Sequence, residues 1–348
     1  MVPRVRSPGN GFVGGVLDSS EEETMIRKLL QGLFAFALVA AALAAGAQTY
    51  PARAVNFVVP YPAGGIYDLA ARVIGAKLAE SWGQPFLVQN RVGANGIIGT
   101  DSVAKSASDG YTIMMGGIGP HGINPSLYAK LPYNPVRDFA AVIHVISMPN
   151  VLVVHPSVDA RSVKDLIALA RAQPGRLTFS SAGSGSSQHL SGEMLKMMAG
   201  VNMTHVPYKG SAPSVTAVLA GEVSLQFGNI NDVAEHVRGG KLRALAVTSA
   251  QRIPVLPDAP TMVESGIPGY EATAWIGVLA PAATPREIVT RLNQDIGRVL
   301  QTPDVLARLS QQGSAKIVGG SPEQFGDFIR AEVAKWASVV KQGGLKVE

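Results

Sequence analysis

Pro60-Tyr61-Pro62-Ala63-Gly64-Gly65-Ile66-Tyr67-Asp68 is the stretch whose reading decides the fold. Ahead of it, Ala54 to Val59 reads as a short strand. Behind it, Leu69 to Trp82 carries apolar residues at Leu69, Val73, Ala76 and Leu78, the spacing of an amphipathic helix. Two glycines therefore stand where a strand turns into a helix. Glycine adopts backbone angles closed to other residues and lets a ligand approach the main chain. The helix that follows opens with unpaired N–H groups and a partial positive charge. Together these make an anion site, and for a small organic molecule the anion is a carboxylate. The stretch also admits a plain tight turn with Asp68 capping the helix.

The same strand-to-helix arrangement recurs along the chain. Phe86–Asn90 leads through Gly93-Ala94-Asn95-Gly96 to a helix over Ile97–Lys105. Thr112–Met115 is a strand, and Val142–Ile146 and Val151–His155 read as two more, followed by a helix over Val163–Ala172. Leu177–Ser180 runs into Ser180-Ser181-Ala182-Gly183-Ser184-Gly185-Ser186-Ser187 and a helix over Leu190–Ala199. Met203–Pro207 runs through Tyr208-Lys209-Gly210-Ser211 into a helix over Ala212–Ala220. Strands at Leu225–Phe227, Leu245–Thr248 and Gly277–Ala280 enclose a helix over Ala234–Gly239. Helices at Arg286–Gln301, Pro303–Gln311 and Pro322–Lys341 close the chain. Repeated βα units predict an α/β fold with parallel sheets covered by helices. Ligands of such sheets lie beyond the carboxyl ends of the strands, where these loops fall. The distance from Gly65 to Gly183 places the two main loops in different domains, facing one cleft.

Composition narrows the function. The 348 residues suffice for two domains, and 47% hydrophobic residues against 16% charged suit a compact core. The net charge of +5 comes without a Lys/Arg run or an aromatic-basic stripe, so nucleic acid is not an expected partner. The absence of cysteine excludes disulfides, thiolate metal sites and cysteine nucleophiles. The six histidines show no H-x-H or H-x-x-x-H spacing, so neither a metal nor a cofactor is expected. Asp109, Asp138 and Glu193 read as caps and salt-bridge partners, and Lys209 as solvated. Gly117-Ile118-Gly119-Pro120-His121-Gly122 matches G-x-G-x-x-G, but Pro120 and Asn124-Pro125 break the helix a dinucleotide site needs. There is no G-x-S-x-G elbow and no phosphate loop, which leaves no expected catalytic residue.

The N-terminus reads as an export signal. From Met25, Arg27 and Lys28 precede the apolar run Gly32–Ala45 and the small-residue site Ala45-Gly46-Ala47. The run is shorter than the roughly 20 residues of a membrane span. Residues 25–47 are therefore expected to be a signal peptide cleaved near Ala47, delivering the protein to the periplasm. Residues 1–24 are an extension without periodicity, or lie upstream of a true start at Met25.

These motifs carry a family resemblance. Val59-Pro60-Tyr61-Pro62-Ala63-Gly64-Gly65 with Asp68, Gly83-Gln84-Pro85, Gln89-Asn90-Arg91, Asp109-Gly110-Tyr111-Thr112 and Ile123-Asn124-Pro125-Ser126-Leu127-Tyr128 occur in order. Ala182 to Leu190, His205-Val206-Pro207-Tyr208-Lys209-Gly210, Leu242 to Thr248 and Pro257-Asp258-Ala259-Pro260-Thr261 follow. From Tyr50 to Glu348 the chain resembles the Bug family of extracytoplasmic solute receptors, the binding components of tripartite tricarboxylate transporters. The resemblance implies a two-lobed "Venus flytrap", with a mostly parallel sheet in each lobe. Its crossings would fall near Asn150–His155 and Ala274–Ala280. Lobe one would be 48–152 with 275–348, and lobe two 153–274. It further implies a monomeric receptor that binds a small organic carboxylate and hands it to integral-membrane permease subunits, without catalysis. A ligand sensor feeding a membrane signalling protein and an exported hydrolase are the other readings.

The binding set implied is Ala63, Gly64, Gly65 and Asp68 from lobe one with Ser184, Ser186 and Ser187 from lobe two; Ile66, Tyr67, Gly117, Ile118, Ser181 and Asn229 complete the expected site. Tyr67 replaces a usual threonine, Gly117-Ile118 a frequent Thr-Ser pair, and Gly228-Asn229 a common Asp-Asn. These departures predict a ligand whose far part is bulkier or less polar than a small dicarboxylate.

Overall fold

The computed structural model describes Thr24 and residues 27–32, 50–310 and 315–345. The expected extension and signal peptide lie largely outside the described residues. No helix among the described residues is long and apolar enough to cross a membrane. Residues 1–52 and 53–348 form separate units, and the account below concerns the second.

In chain order, β1 (Val55–Val59) leads to α1 (Ile66–Trp82), β2 (Phe86–Asn90), α2 (Ile97–Ala104) and β3 (Thr112–Gly117). A π-helical turn, Gly119–Ile123, and α3 (Asn124–Leu127) precede the long β4 (Phe139–Val154). The units α4 (Val163–Ala172), β5 (Thr178–Ser181), α5 (Ser187–Ala199), β6 (Thr204–Pro207), α6 (Ser211–Leu219), β7 (Leu225–Asn229), α7 (Ile230–Arg238) and β8 (Arg243–Val247) follow. Then β9 (Thr273–Pro281) returns, with α8 (Arg286–Leu300), α9 (Pro303–Ser310), β10 (Lys316–Gly319) and α10 (Pro322–Gln342) after it.

The strands run β2-β1-β3-β9-β4-β7-β5-β6, with β10 and β8 both pairing to β4. β4 organises this path. Its residues Phe139 to Pro149 pair with β9, and Asn150 to Val154 pair with β7. One strand thus serves two lobes of an α/β fold. Parallel pairing holds for β2-β1-β3 and for β6-β5-β7. It gives way to antiparallel pairing wherever β4, β9, β10 or β8 takes part. The reason is topological: a chain that crosses and later returns lays its two crossing strands side by side in opposite directions.

β4 is continuous where the sequence predicted two strands. Pro149, which has no N–H to give to a ladder, lies in the interval between the two expected strands. In the fold Pro149 stands opposite Thr273 at the last β9 pair, and from the next residue the strand turns to β7. Thr248 braces this point. Its hydroxyl accepts from the Asn150 N–H (2.8 Å) and lies 2.7 Å from the Ala272 carbonyl, to which it donates.

β1 is flanked by β2 and β3, is buried on both faces, and is correspondingly apolar throughout except for Asn56. α1 buries Ala70, Ala71, Val73, Ile74 and Leu78, and ends at Gly83, whose left-handed φ of 66° lets its N–H reach the Ala79 carbonyl. A second cluster around Val215, Val218, Ile230 and Val233 fills the outer part of the second lobe. The largest cluster is continuous between the lobes, from Val58 and Met114 through Trp275, Phe325 and Trp336 to Phe179, Leu190 and Met194. α10 packs on β4, on the 119–127 segment and on α5, so the last helix touches both lobes.

Candidate functional site

The helix after the opening stretch begins at Ile66, three residues earlier than the apolar spacing indicated. Gly65, not Asp68, is its N-cap, and no side chain caps it. The Asp68 carboxylate turns back instead. It accepts from the Gly64 N–H (3.0 Å), from Asn90 Nδ2 (3.0 Å) and from Arg72 Nε (2.9 Å). Arg72, with the Gly64 and Asn90 hydrogen bonds, holds this buried carboxyl at about 2, so it is ionised. Its role is to fix the loop, which takes a left-handed turn at Gly64 (φ 87°).

That loop forms one wall of a cavity of about 930 Å³. Tyr61, Gly65, Ile66, Tyr67, Asn95, Ile118 and Gly119 line it from the first lobe. Ala182, Gly185, Ser186, Ser187, Ser211 and the start of α7 line it from the second, and Met148, Ala274 and Trp275 come from the crossing strands. The N-terminal ends of α1, α5, α6 and α7 therefore meet at one space, each opening with main-chain N–H groups that have no partner within the helix.

Each end is prepared differently. At α5, Ser186 is the N-cap: its Oγ accepts from the His189 N–H (3.3 Å) and donates to the Gly183 carbonyl (2.7 Å). Gly183 and Gly185 take φ of 132° and 80°, which side chains resist. The Gly185 N–H donates to His189 Nδ1 (3.1 Å), and Gln188 Oε1 accepts the Ala182 N–H (2.7 Å). No acidic residue occupies the first turn of α5. At α7, by contrast, Asp232 sits in the first turn and accepts from Asn229 Nδ2 (3.0 Å) and from the Ser211 hydroxyl. α5 and α6 are thus free of acidic residues in their first turns, whereas α1 and α7 carry Asp68 and Asp232 there. The charged residues lining the cavity are Asp232 and the Glu235–Arg238 ion pair.

Within the first wall, Tyr61 and Tyr67 pack on each other. Their ring centroids are 4.6 Å apart at 53°. Burial raises both phenols well above the usual range, for Tyr61 with a further contribution from Tyr67, so both are neutral donors. Tyr61 donates to Asn95 Oδ1 (3.4 Å), whose Nδ2 reaches Asn124 Oδ1 (2.9 Å).

Of the residues the sequence named, Gly65, Ile66, Tyr67, Ile118, Ser186, Ser187 and Asn229 face this cavity. Ala63, Gly64 and Ser184 are exposed and lie off its lining, and Asp68 is buried behind the loop. Ser181 is buried, with its Oγ 2.7 Å from His205 Nε2. Gly117 lies beneath the Tyr67 ring, where a Cβ would collide with the tyrosine. Lys209 is exposed and does not line the cavity.

The sequence reading did not select Tyr61, Asn95, Gly185, Ser211, Asp232 or Trp275. Asn95 and Ser211 did fall in loops marked as glycine-bearing strand ends, which was the available signal. Among the described residues no three His, Asp or Glu side chains form a metal-binding group.

Residues 70–345 match the family described as the tripartite tricarboxylate transporter family receptor. Protein BugT of Bordetella pertussis (strain Tohama I) is 40% identical over 303 residues, covering 87% of this chain and 93% of BugT. The structure described as R. palustris Rpa4515 with adipate is 41% identical with a TM-score of 0.74, covering 86% of this chain and all of that one. MatC from Rhodopseudomonas palustris with bound malate is 33% identical with a TM-score of 0.71, covering 84% of this chain and all of MatC.

Proposed function

Because this chain belongs to the tripartite tricarboxylate transporter receptor family, we propose that it captures a small organic carboxylate in the cavity between its lobes and delivers it to a membrane permease. The observation that carries this reading is the meeting of four helix N-termini from two lobes at one space lined by Ser186, Ser187 and Ser211. One helix terminus contributes roughly 0.3–1 kcal/mol toward an anion, and up to about 2 when partly buried. A hydrogen bond to a charged group adds about 1.5–3 kcal/mol. Micromolar affinity needs about 8 kcal/mol after association costs. One lobe alone falls short, and donors closing from both lobes reach it. The adipate and malate held by the two related structures agree with a carboxylate as ligand.

The binding set runs from Gly65, Ile66 and Tyr67 of the first lobe, through Ile118, to Ser186, Ser187 and Asn229 of the second. Ala63, Gly64, Asp68, Gly117, Ser181 and Ser184 support it from behind or from the rim. The lobes are 48–152 with 275–348, and 153–274, joined by β4 and β9 and closing by hinge motion. The protein acts as a monomer, in the periplasm, after export through residues 25–47 and cleavage near Ala47. It binds without turnover. In support, neither Ser186 nor Ser187 has a histidine ring as hydrogen-bond partner among the described residues, and the His189 ring accepts from the Gly185 N–H.

A thermal-shift screen tests the reading. Its panel spans aliphatic di- and tricarboxylates, aromatic carboxylates and acidic amino acids. Ligand at 100-fold excess over Kd stabilises the native state by about 2.7 kcal/mol. A selective rise in melting temperature with one carboxylate class is expected. A flat response across the panel, with no small acid found by native mass spectrometry, overturns it.

A further inference from the structure

The tyrosine at position 67 occupies space that only a glycine at position 117 leaves open. A Cβ on Gly117 would run into the Tyr67 hydroxyl and would stand 2.6 Å from the Trp275 carbonyl and 2.8 Å from Tyr67 Cε1. Such separations are not sustained by real side chains. The neighbouring Gly119 does the same for Tyr61, whose hydroxyl would collide with a Cβ there. Two glycines of one segment thus form a shelf for two packed rings.

The two hydroxyls are not equivalent. Tyr61 donates to Asn95 Oδ1. The Tyr67 hydroxyl has no hydrogen-bond partner among the described residues, although its side chain lines the cavity. Burial keeps it protonated and hence a donor. A neutral, unpartnered donor on a side chain that lines the cavity together with Ile66 and Ile118 suits one kind of complement. That complement is an apolar, flat body with a hydrogen-bond acceptor at its far end.

We propose that Tyr67 is the specificity-determining residue of this receptor and that it selects carboxylates built on an aromatic ring, stacking on the ring and donating its hydroxyl to an acceptor at the far end. This rests on the carboxylate reading above and goes beyond it in naming the ligand class and the residue that sets it.

The test is calorimetric titration of the purified protein and two variants with benzene-1,4-dicarboxylate, benzoate, adipate and malate. The wild-type protein is expected to bind benzene-1,4-dicarboxylate most tightly and malate least. Tyr67→Phe keeps the ring and removes the donor. It is expected to reduce the preference for benzene-1,4-dicarboxylate over benzoate about tenfold, the effect of losing one hydrogen bond to a charged group. Tyr67→Thr removes the ring, and is expected to lower the affinity of both aromatic acids relative to malate. The ratios separate this role from a structural one, since a damaged fold weakens all four ligands together. Tighter binding of malate or adipate than of either aromatic acid overturns the inference and leaves the carboxylate reading standing. So does an equal loss for all four ligands in Tyr67→Phe. Failure of all four to bind the wild-type protein overturns the inference, and the wider panel above then decides the carboxylate reading.

Discussion

Gly185, at the entrance to α5, faces Leu127 of α3 so closely that a Cβ on Gly185 would stand 2.6 Å from Leu127 Cδ2. Both residues are buried, and Asn95, which lines the cavity, lies alongside Gly185. The closure proposed above brings the chain together over a contact that leaves little room for a Cβ at position 185. Gly185→Ala is expected to weaken ligand binding about tenfold or more, because the methyl group holds the lobes apart and because φ of 80° costs alanine roughly 1–2 kcal/mol. Titration with the tightest carboxylate checks this, and small-angle scattering should show a more open particle at saturation. Unchanged affinity would mean that the lobes need not meet here.

Thr248 bridges the two strands on which any such closure turns. It is fully buried, and its hydroxyl serves the Asn150 N–H, the Asn150 carbonyl (3.0 Å) and the Ala272 carbonyl. Thr248→Val keeps the shape and removes these bonds. The unpaired groups left behind are expected to cost about 1–3 kcal/mol in urea denaturation. A change below about 0.5 kcal/mol would show that the brace contributes little.

Asp68 fixes the glycine loop from behind. Asp68→Ala releases the Gly64 N–H, Asn90 and Arg72 at once. The expected loss is about 1–3 kcal/mol of stability, with weaker carboxylate binding because the loop is no longer preorganised. Asp68→Asn keeps part of the hydrogen bonding and is expected to fall between. Equal binding by all three proteins would place the loop's order elsewhere.

Four histidines make the fold acid-sensitive. Burial holds His121 at about 3 and His144 at about 4, and burial does the same for His189 (about 3) and His205 (about 4), aided at His189 by its neighbour His205. The rings of His189 and His205 lie 3.8 Å apart, so charging both together is doubly disfavoured. All four folded values lie below the ordinary histidine range near 6.5. Below that range the unfolded chain takes up protons that the native protein refuses. Stability is thus fully present above about pH 6.5 and is lost as the pH falls toward 4. Each histidine that stays neutral in the native state removes about 1.4 kcal/mol per pH unit across that window. Asp68, held at about 2, stays charged until well below it. Melting temperatures at pH 7, 6, 5 and 4 should fall progressively, and a flat profile from pH 7 to 4 would contradict these environments.

How much of this was legible in the sequence depended on whether the signal was local. The strand-glycine-helix pattern at 54–82 and the Ser/Gly run at 180–187 are local chemistry, and they led directly to α1 and α5 and to Gly65, Ser186 and Ser187. β4 was not legible as one strand, because what carries it past Pro149 is a change of partner from β9 to β7, and pairing is not written in any window. β10 was missed because Lys316–Gly319 is only four residues long and runs straight into a second glycine, Gly320. Tyr61 reads as a turn residue between two prolines. That its ring lies over Gly119 follows only from the path of the 117–123 segment. Asp232, Glu235 and Arg238 sit on an ordinary amphipathic helix, and their place at the cavity follows from the carboxyl end of β7 opening toward it.

The central claim is that a carboxylate group is the feature both lobes recognise. The most direct measurement is calorimetric titration of the tightest carboxylate found against its own primary amide, matched in size and shape. Helix N-termini and serine hydroxyls gain most from the charge, so the amide should bind at least a hundredfold more weakly, about 2.7 kcal/mol. Equal affinity for acid and amide would contradict the account, since the four converging helix ends would then not be what holds the ligand.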